Sequence, residues 1–558
     1  MTPSGLRRLV AAAGLLGLGA CGWAPPAEVS GALALARIAE HQARLGDAAG
    51  ADRALARALQ VAESRQEQKD RDAVRFAVAV AEARIGRLAE ASNVAATIAE
   101  PGARIAAVLA VGAIALEGGG SEAAAEALAA ARTVVDSRPD WADDEILRAL
   151  DHIALFQAAM GDAAGALATA GRASASAESD PAAVLWLRAM IALIAVETAG
   201  EPAALAILAG IERDAATVEA RGERQEIAAA LVGVRARAGD IDGALEAATA
   251  TPVLEARAAS LAYVAAARAA RGDAAGAQAT AGKAYRTYLQ RPSAGAWFAD
   301  ATEGMAPGAG AVVDGVDGEG AFAAAGIGVG EVVVQFDGIV VDSADQLEGL
   351  VGSRPAGTPI EVAVASDAGT RLARLVLGRA DSAEQPTLSV LAAARAASGD
   401  VAGAVATADR IADSGDRIAT HSMVAAMRAS AGDGPGATVA ADAACANAER
   451  LDATDSGSWS TAAARCAEAR MAAGDGDRAI AQARRITARY DAYETAWIEN
   501  IALLLSGRAR LAFLRLSGDP LASFEVEAPP AYLEAVLLAE SGRIEESLAA
   551  ADRLLTNR

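Results

Sequence analysis

Along most of the chain, apolar residues return every three or four positions, the spacing of helices that bury one stripe. The pattern is broken by regular punctuation: a helical stretch ends in Gly-Asp or a close variant, and an alanine stands five positions after the glycine. The clearest copies are Gly46-Asp47 with Ala51, Gly161-Asp162 with Ala166, Gly239-Asp240 with Ala244 and Gly272-Asp273 with Ala277. Further along come Gly399-Asp400 with Ala404, Gly432-Asp433 with Ala437 and Gly474-Asp475 with Ala479. Degenerate copies stand at Gly86 with Ala91, near Gly120, at Gly200-Glu201 and at Gly542. Glycine takes the left-handed conformation that ends a helix, and aspartate caps the amides of the next. The small alanine one turn later lets two helix axes come close. Antiparallel helix pairs are therefore expected over residues 31–290 and 387–558.

The offsets of small and large residues in this pattern resemble the tetratricopeptide repeat. That family's large aromatic positions are mostly alanine or leucine here, and copies recur every ~33 to ~42 residues, more loosely than the family's ~34. The resemblance implies a paired-helix solenoid with an extended concave surface that holds other proteins.

Between the two helical stretches, over residues 294–380, the helical period gives way to short β runs with glycine turns. Ala311 to Val313 reads as a strand; Ala325 to Val341 reads as a turn, a strand, an Asp337-Gly338 hairpin signal and a second strand. Ser343 to about Val351 reads as a short helix, and Pro359–Ala365 and Leu372–Leu377 as alternating strands. The stretch from Ala325-Gly326-Ile327 through Gly330-Glu331 to Asp337-Gly338 resembles the PDZ domains attached to periplasmic trypsin-like and tail-specific proteases. The resemblance implies that a partner's C-terminal tail adds to a sheet edge as a strand. It places the carboxylate loop at Ala296, Trp297, Phe298 and Ala299, and the helix side of the groove at Gln346, Leu347 and Leu350. The loop lacks the family's usual glycine and has Asp300 beside it, a charge set against an incoming carboxylate. Binding of an internal β strand, or an intramolecular contact, competes with tail capture. The glycines at 326, 328 and 330 are read as a β-turn and not as a phosphate loop, because no helix follows to offer its N-terminus. The fold class expected is thus mainly α, a paired-helix solenoid in two segments interrupted by a small α+β domain.

Arg7 and Arg8 precede an apolar run from Leu9 to Ala20, too short to cross a bilayer and of the length of a signal-peptide core. It ends in Leu18-Gly19-Ala20-Cys21, which resembles the lipobox of bacterial lipoproteins. The resemblance implies a signal peptide over 1–20, acylation of Cys21 and a short tether over 21–30. Gly22 in place of an aspartate implies an outer-membrane anchor facing the periplasm.

Composition adjusts this picture. Hydrophobic residues make up 53% of the 558-residue chain and aromatics 3%, so the apolar content is chiefly alanine and aliphatics. A formal net charge of −22 gives no source for the phosphate neutralisation that nucleic-acid binding needs. The three histidines, His41, His152 and His421, each fall inside a repeat helix with no nucleophile signature near them. No CxxC or His cluster suggests a metal, and no cofactor is expected. Cys445 and Cys466 lie symmetrically about a turn near Thr454 to Gly457, which sets them facing across antiparallel helices; a disulfide and two buried thiols are both open. The expectation is a non-enzymatic scaffold or adaptor of the cell envelope that binds other proteins. Its rivals are a structural spacer whose inserted domain docks on its own array, and a degenerate protease-related enzyme.

Overall fold

The computed structural model describes residues 24–137, 143–174, 181–215, 221–301, 310–366, 368–379, 385–451, 456–491, 508, 510–513 and 527–556. Among them are eleven antiparallel helix pairs. Ahead of the insert come α1 (Ala27–Arg44) with α2 (Ala48–Ser64), α3 (Gln68–Arg84) with α4 (Leu88–Ala96), α5 (Pro101–Glu117) with α6 (Ser121–Asp136) and α7 (Asp143–Ala159) with α8 (Ala163–Ser174). They continue with α9 (Pro181–Thr198) and α10 (Glu201–Ala215), α11 (Arg221–Arg237) and α12 (Ile241–Ala250), and α13 (Leu254–Ala270) and α14 (Ala274–Tyr288). The insert carries α15 (Ala321–Ala324) and α16 (Ala344–Gly352). After it come α17 (Gln385–Ala397) with α18 (Val401–Ala408), α19 (Ser414–Ser430) with α20 (Gly434–Ala448), α21 (Ser456–Ala472) with α22 (Gly476–Ala483), and α23 (Pro530–Glu540) with α24 (Ile544–Thr556).

Seven of the eleven turns inside pairs are built from one small set of side chains, Gly-Asp; at Gly86 and Gly119 the glycine alone ends the helix and no side chain caps the next. At the first, Gly46 has φ +85°, and the amides of Gly46 and Asp47 return to the carbonyls of Ala43 and Gln42, which ends α1. Asp47 then accepts from the Gly50 amide at 2.8 Å and so starts α2, while its other oxygen takes Gln42 Nε2 at 3.4 Å. The same cap recurs from Asp162, Asp240, Asp273, Asp400 and Asp433 to the amide three residues on, at 2.8–3.0 Å. An Arg or Gln five residues before the aspartate holds its second oxygen at Gln157, Arg235 and Arg428 as well. A Cβ on Gly50 would run into the Asp47 carboxylate, which explains the second glycine of the Gly-Asp-x-x-Gly-Ala string. The turns between pairs have their own clamp: Arg104, Arg257 and Arg417 each reach back six residues, to the carbonyls of Ile98, Thr251 and Ile411, at 2.7 Å.

Successive pairs stack so that each first helix packs on the next first helix, and each second helix packs against the following first one. First helices are accordingly buried almost all round, as α1 is from Val29 to Ala36, while second helices keep one exposed face. The alanines of the repeat, Ala51, Ala166, Ala244, Ala277, Ala404, Ala437 and Ala479, are all fully buried where helices cross. Cys445 on α20 and Cys466 on α21 are joined as a disulfide with Cα atoms 4.8 Å apart, so two adjacent pairs are covalently linked.

The array is not an open solenoid. Helix α1 packs against α23 and α24 in the same way that each later first helix meets the pair before it, and residues from 29–111 and 463–554 share one apolar core. The eleven pairs therefore close on themselves as a ring, with the first helices as its inner circle. The insert does not interrupt it, since α13 and α14 pack directly on α17. Strands β9 (Tyr490–Asp491) and β10 (Glu527–Ala528) pair at the foot of the stretch between α22 and α23. Far from that foot, Arg510 donates to the Ala159 carbonyl at the end of α7 and Phe513 is buried among residues of α5 to α11, so this stretch reaches the other side of the ring.

The insert is an antiparallel sheet with two helices. Strands β2 (Ala296–Asp300), β3 (Ala311–Val316), β4 (Val332–Phe336), β6 (Pro359–Ser366) and β7 (Gly369–Val376) lie in that order, and β5 (Ile339–Val340) pairs with β4. At its base β1 (Pro292–Ser293) pairs with β8 (Gly378–Arg379), which brings the entering and leaving chain together. Phe322, Val333, Phe336, Leu347, Val362 and Val364 form its core.

Closure of the ring has a signed consequence at Gly31, where a Cβ would stand 2.8 Å from Leu555 of the last helix. On a free helix end, Gly31→Leu gains about 0.8 kcal/mol of helix propensity. In the ring it overpacks against Leu555, at a cost of about 1–3 kcal/mol. The expected result is a lower thermal midpoint for Gly31→Leu than for the parent; a higher one would mean that the ends do not meet.

Candidate functional site in the inserted domain

The cleft beside β2 begins with an unsatisfied strand edge. Among the described residues strand β2 pairs only with β3, in a register that shifts between Trp297 and Phe298, and its other edge has no strand partner there. Helix α16 packs against β1, β2 and β3. Residues 296–299 are thus a strand where the sequence suggests a loop, and the tight backbone lies just ahead of them. There Gly295 has φ +60° and a Cβ on it would run into Gly320, a close approach that only glycine permits. The carbonyls of Ala294 and Gly295 accept from Phe322 and Asp317 at 3.1 and 2.8 Å, which pins this corner to the domain.

Strand alternation divides the four expected residues, 296–299, of β2. Ala296 and Phe298 fall on the core side, half-buried, with the Phe298 ring edge-on to Phe322 at 5.2 Å. Trp297, 63% exposed, lies on the outer face over Gly315, and Ala299 is exposed. On α16 the helical period does the same. Ala344, Leu347 and Val351 turn into the core, and Leu347 is fully buried there, so it presents nothing to a ligand. Gln346 and Leu350, one turn apart, are half-buried, with Leu350 packed against the edge of the core, so these two of the three expected helix residues keep surface that a ligand could touch. Gln346 Oε1 accepts from the Asp342 amide at 2.6 Å, which holds its side chain at the N-terminal end of the helix.

Asp300 turns away from the corner at Gly295. Its carboxylate accepts from the Ala344 amide at 2.7 Å and, with Ser343 Oγ on the Gln346 amide, caps α16 at the opposite end of the cleft. The repulsion that the sequence sets beside the loop is therefore spent on a helix N-terminus. This pairing across 44 positions has no signature in the local sequence.

The domain is seated firmly on the ring. Glu255 at the start of α13 takes Arg291, at the entry to the insert, at 3.4 Å and Thr387, just after its exit, at 2.9 Å. The Ala356 amide donates to the Gln290 carbonyl, and a Cβ on Gly352 would stand 3.2 Å from Val253. These contacts use the side of α16 that carries Gly352 and leave the side with Gln346 and Leu350 to the cleft. Cys21, the expected lipidation site, lies outside the described residues; the chain is held from Pro25 on, whose carbonyl accepts from Arg489 at 2.8 Å.

The histidines stand apart from this cleft. Burial, then the Arg44 and Arg37 guanidiniums, hold the His41 imidazole down at about 4, and burial with Arg148 does the same for His152. His421 is fully buried with Nε2 3.0 Å from Asp409, and burial holds it below its ordinary value against that carboxylate's pull. Among the described residues no three side chains of metal-ligating type stand together. A histidine kept neutral in the fold but protonated when unfolded stabilises above its ordinary value of 6.5, and that contribution is lost as pH falls from 6.5 toward 4. Asp151, which burial pushes up to about 8, acts with the opposite sign, so the test is differential. In denaturant titrations at pH 7.5 and 5.0, His41→Gln/His152→Gln is expected to lose less stability on acidification than the parent.

No family model matches the chain, and no curated protein matches it. Among solved structures it is similar to a "Circular tandem repeat protein with novel repeat topology and enhanced subunit contact surfaces", at 12% identity, over 94% of this chain and 96% of that one, with a TM-score of 0.15. At that score the likeness carries no argument about either fold. The helices and sheet described above themselves establish the architecture: a helical-repeat protein with a small antiparallel sheet domain inserted near its middle.

Proposed function

We propose that this protein is a non-enzymatic binding scaffold of the bacterial cell envelope, anchored by lipid on Cys21. In this reading the insert is a PDZ domain that receives partner segments in the cleft between β2 and α16. The observation that carries the reading is the edge of β2 that has no strand partner among the described residues, with α16 packed against the same strand and Phe298, Gln346 and Leu350 half-buried. An extended segment gains main-chain hydrogen bonds along such an edge and buries alternate side chains against the apolar positions. The Asp300 cap on α16 supports tail capture, because it removes that charge from the Gly295 corner where a terminal carboxylate would arrive. The ring supplies a rigid mount and a second surface for protein contacts. Delivery of clients in envelope quality control, or assembly of an envelope complex, are the settings in which such a device serves. The spacer reading draws on the seating of Gly352 and Ala356 against the array; it is the weaker one, because that seating leaves the cleft side of α16 unused.

The test uses the whole ring and a library of fluorescent peptides with free or amidated C-termini. A subset of the peptides is expected to bind, and Leu350→Asp to weaken it at least ~10-fold, about 1.4 kcal/mol. Leu350 is chosen over Leu347 because the latter is core. Equal binding by parent and variant would move recognition to the array; no binding at all would leave the spacer.

A further inference from the structure

The order of helices fixes which face of the ring each appendage leaves from. Chain turns inside the pairs, the Gly-Asp turns, all lie on one face; turns between pairs, at the start of the first helices, all lie on the other. The chain enters the ring at Pro25, at the start of α1, and so on the between-pair face. The insert leaves after α14 and returns at α17, again a between-pair connection. The β9–β10 pair sits on the same face, where Arg489 binds both the Glu527 and Pro25 carbonyls at 2.8 Å. The tether and the inserted domain therefore project from one side, and the Gly-Asp turns occupy the other.

That inserted domain also differs from the ring in its surface. Of the eight large hydrophobic side chains exposed among the described residues, six are on it: Trp297, Val329, Ile339, Val340, Leu372 and Val376. Cross-strand pairing sets Val340, Gln335, Ala363 and Leu372 in one row, which places Val340 and Leu372 on the same outer face of the sheet. Pro25 is only four residue steps from Cys21, a reach of at most ~14 Å at ~3.5 Å per residue.

We infer that the ring lies with its insert-bearing face toward the bilayer, and that the outer sheet face of the inserted domain that carries Val340 and Leu372 meets the lipid surface. This rests on the lipid anchor proposed above. A tether of at most ~14 Å keeps the face it leaves from close to the membrane, and apolar side chains at the lipid interface lose contact with water. The contact is apolar and not electrostatic: between residues 294 and 379 the domain carries twelve Asp and Glu against four Arg and no Lys, so anionic lipid would repel it. The groove then opens close to the membrane, where the tails of membrane-inserted proteins emerge.

The experiment uses lipidated full-length protein in phosphatidylcholine vesicles that contain a headgroup-linked quencher. An environment-sensitive fluorophore is placed at Val340→Cys on the insert or at Ala431→Cys in a Gly-Asp turn; the disulfide of Cys445 and Cys466 keeps the native thiols out of the reaction. Quenching of more than about half at position 340, with little at 431, is expected. Equal quenching at both, or stronger quenching at 431, overturns the orientation while leaving the anchor intact. A protein that fails to sediment with vesicles, as Cys21→Ser should, removes the anchor and the inference with it.

Discussion

At the Gly-Asp turns the carboxylate that follows the left-handed glycine caps the amides of the helix that begins, and at Asp47, Asp162, Asp240 and Asp433 an Arg or Gln five residues back also ties it to the helix that ends. A single short side chain thus sets the distance and angle between the two helices of a pair. With alanine at the crossing point there is little side-chain bulk to vary that geometry from one pair to the next. The arginine clamps give the alternate turns the same regularity. When each step repeats the last, small rotations accumulate in one sense, and here they bring the eleventh pair back onto the first.

Closure changes what the ends of the molecule are. In an open array the terminal pairs expose an apolar face and need polar caps, whereas here α1 and α24 bury each other's faces and no terminal repeat has to be atypical. It also makes the between-pair turns a set of equivalent ports. The insert leaves through one, the stretch between β9 and β10 through another, and the chain enters through a third, so additions of very different size are accommodated without breaking the stack. The clamp at Glu255, which holds Arg291 and Thr387 together, is what makes the large addition rigid.

Local chemistry was legible in the sequence, and long-range assembly was not. Gly-Asp with alanine five residues on is a contiguous string, and its caps and crossings appear as expected at all seven strong copies. The strands at 311–316, 332–336 and 359–366 likewise follow from alternation, and the helix at 344–352 from a cap that the sequence leaves between Asp342 and Ser343 and the structure gives to Ser343. Residues 296–299 were harder, because Ala-Trp-Phe-Ala is too short to show its period and becomes a strand by pairing with β3. Leu347 was misplaced for a related reason: one residue of helical phase separates a cleft position from a core one, and only the packed sheet fixes that phase. Ring closure has no local signal at all, since it depends on the sum of eleven steps and on Gly31 facing Leu555 across the length of the chain.

Amide hydrogen exchange tests the closed ring most directly, because exchange reads the opening free energy of each helix separately. The account predicts that α1 and α24 exchange as slowly as helices in the middle of the chain, such as α9 and α13. Fast exchange at both ends, with protection rising steadily toward the centre, is the behaviour of an open array and would contradict it.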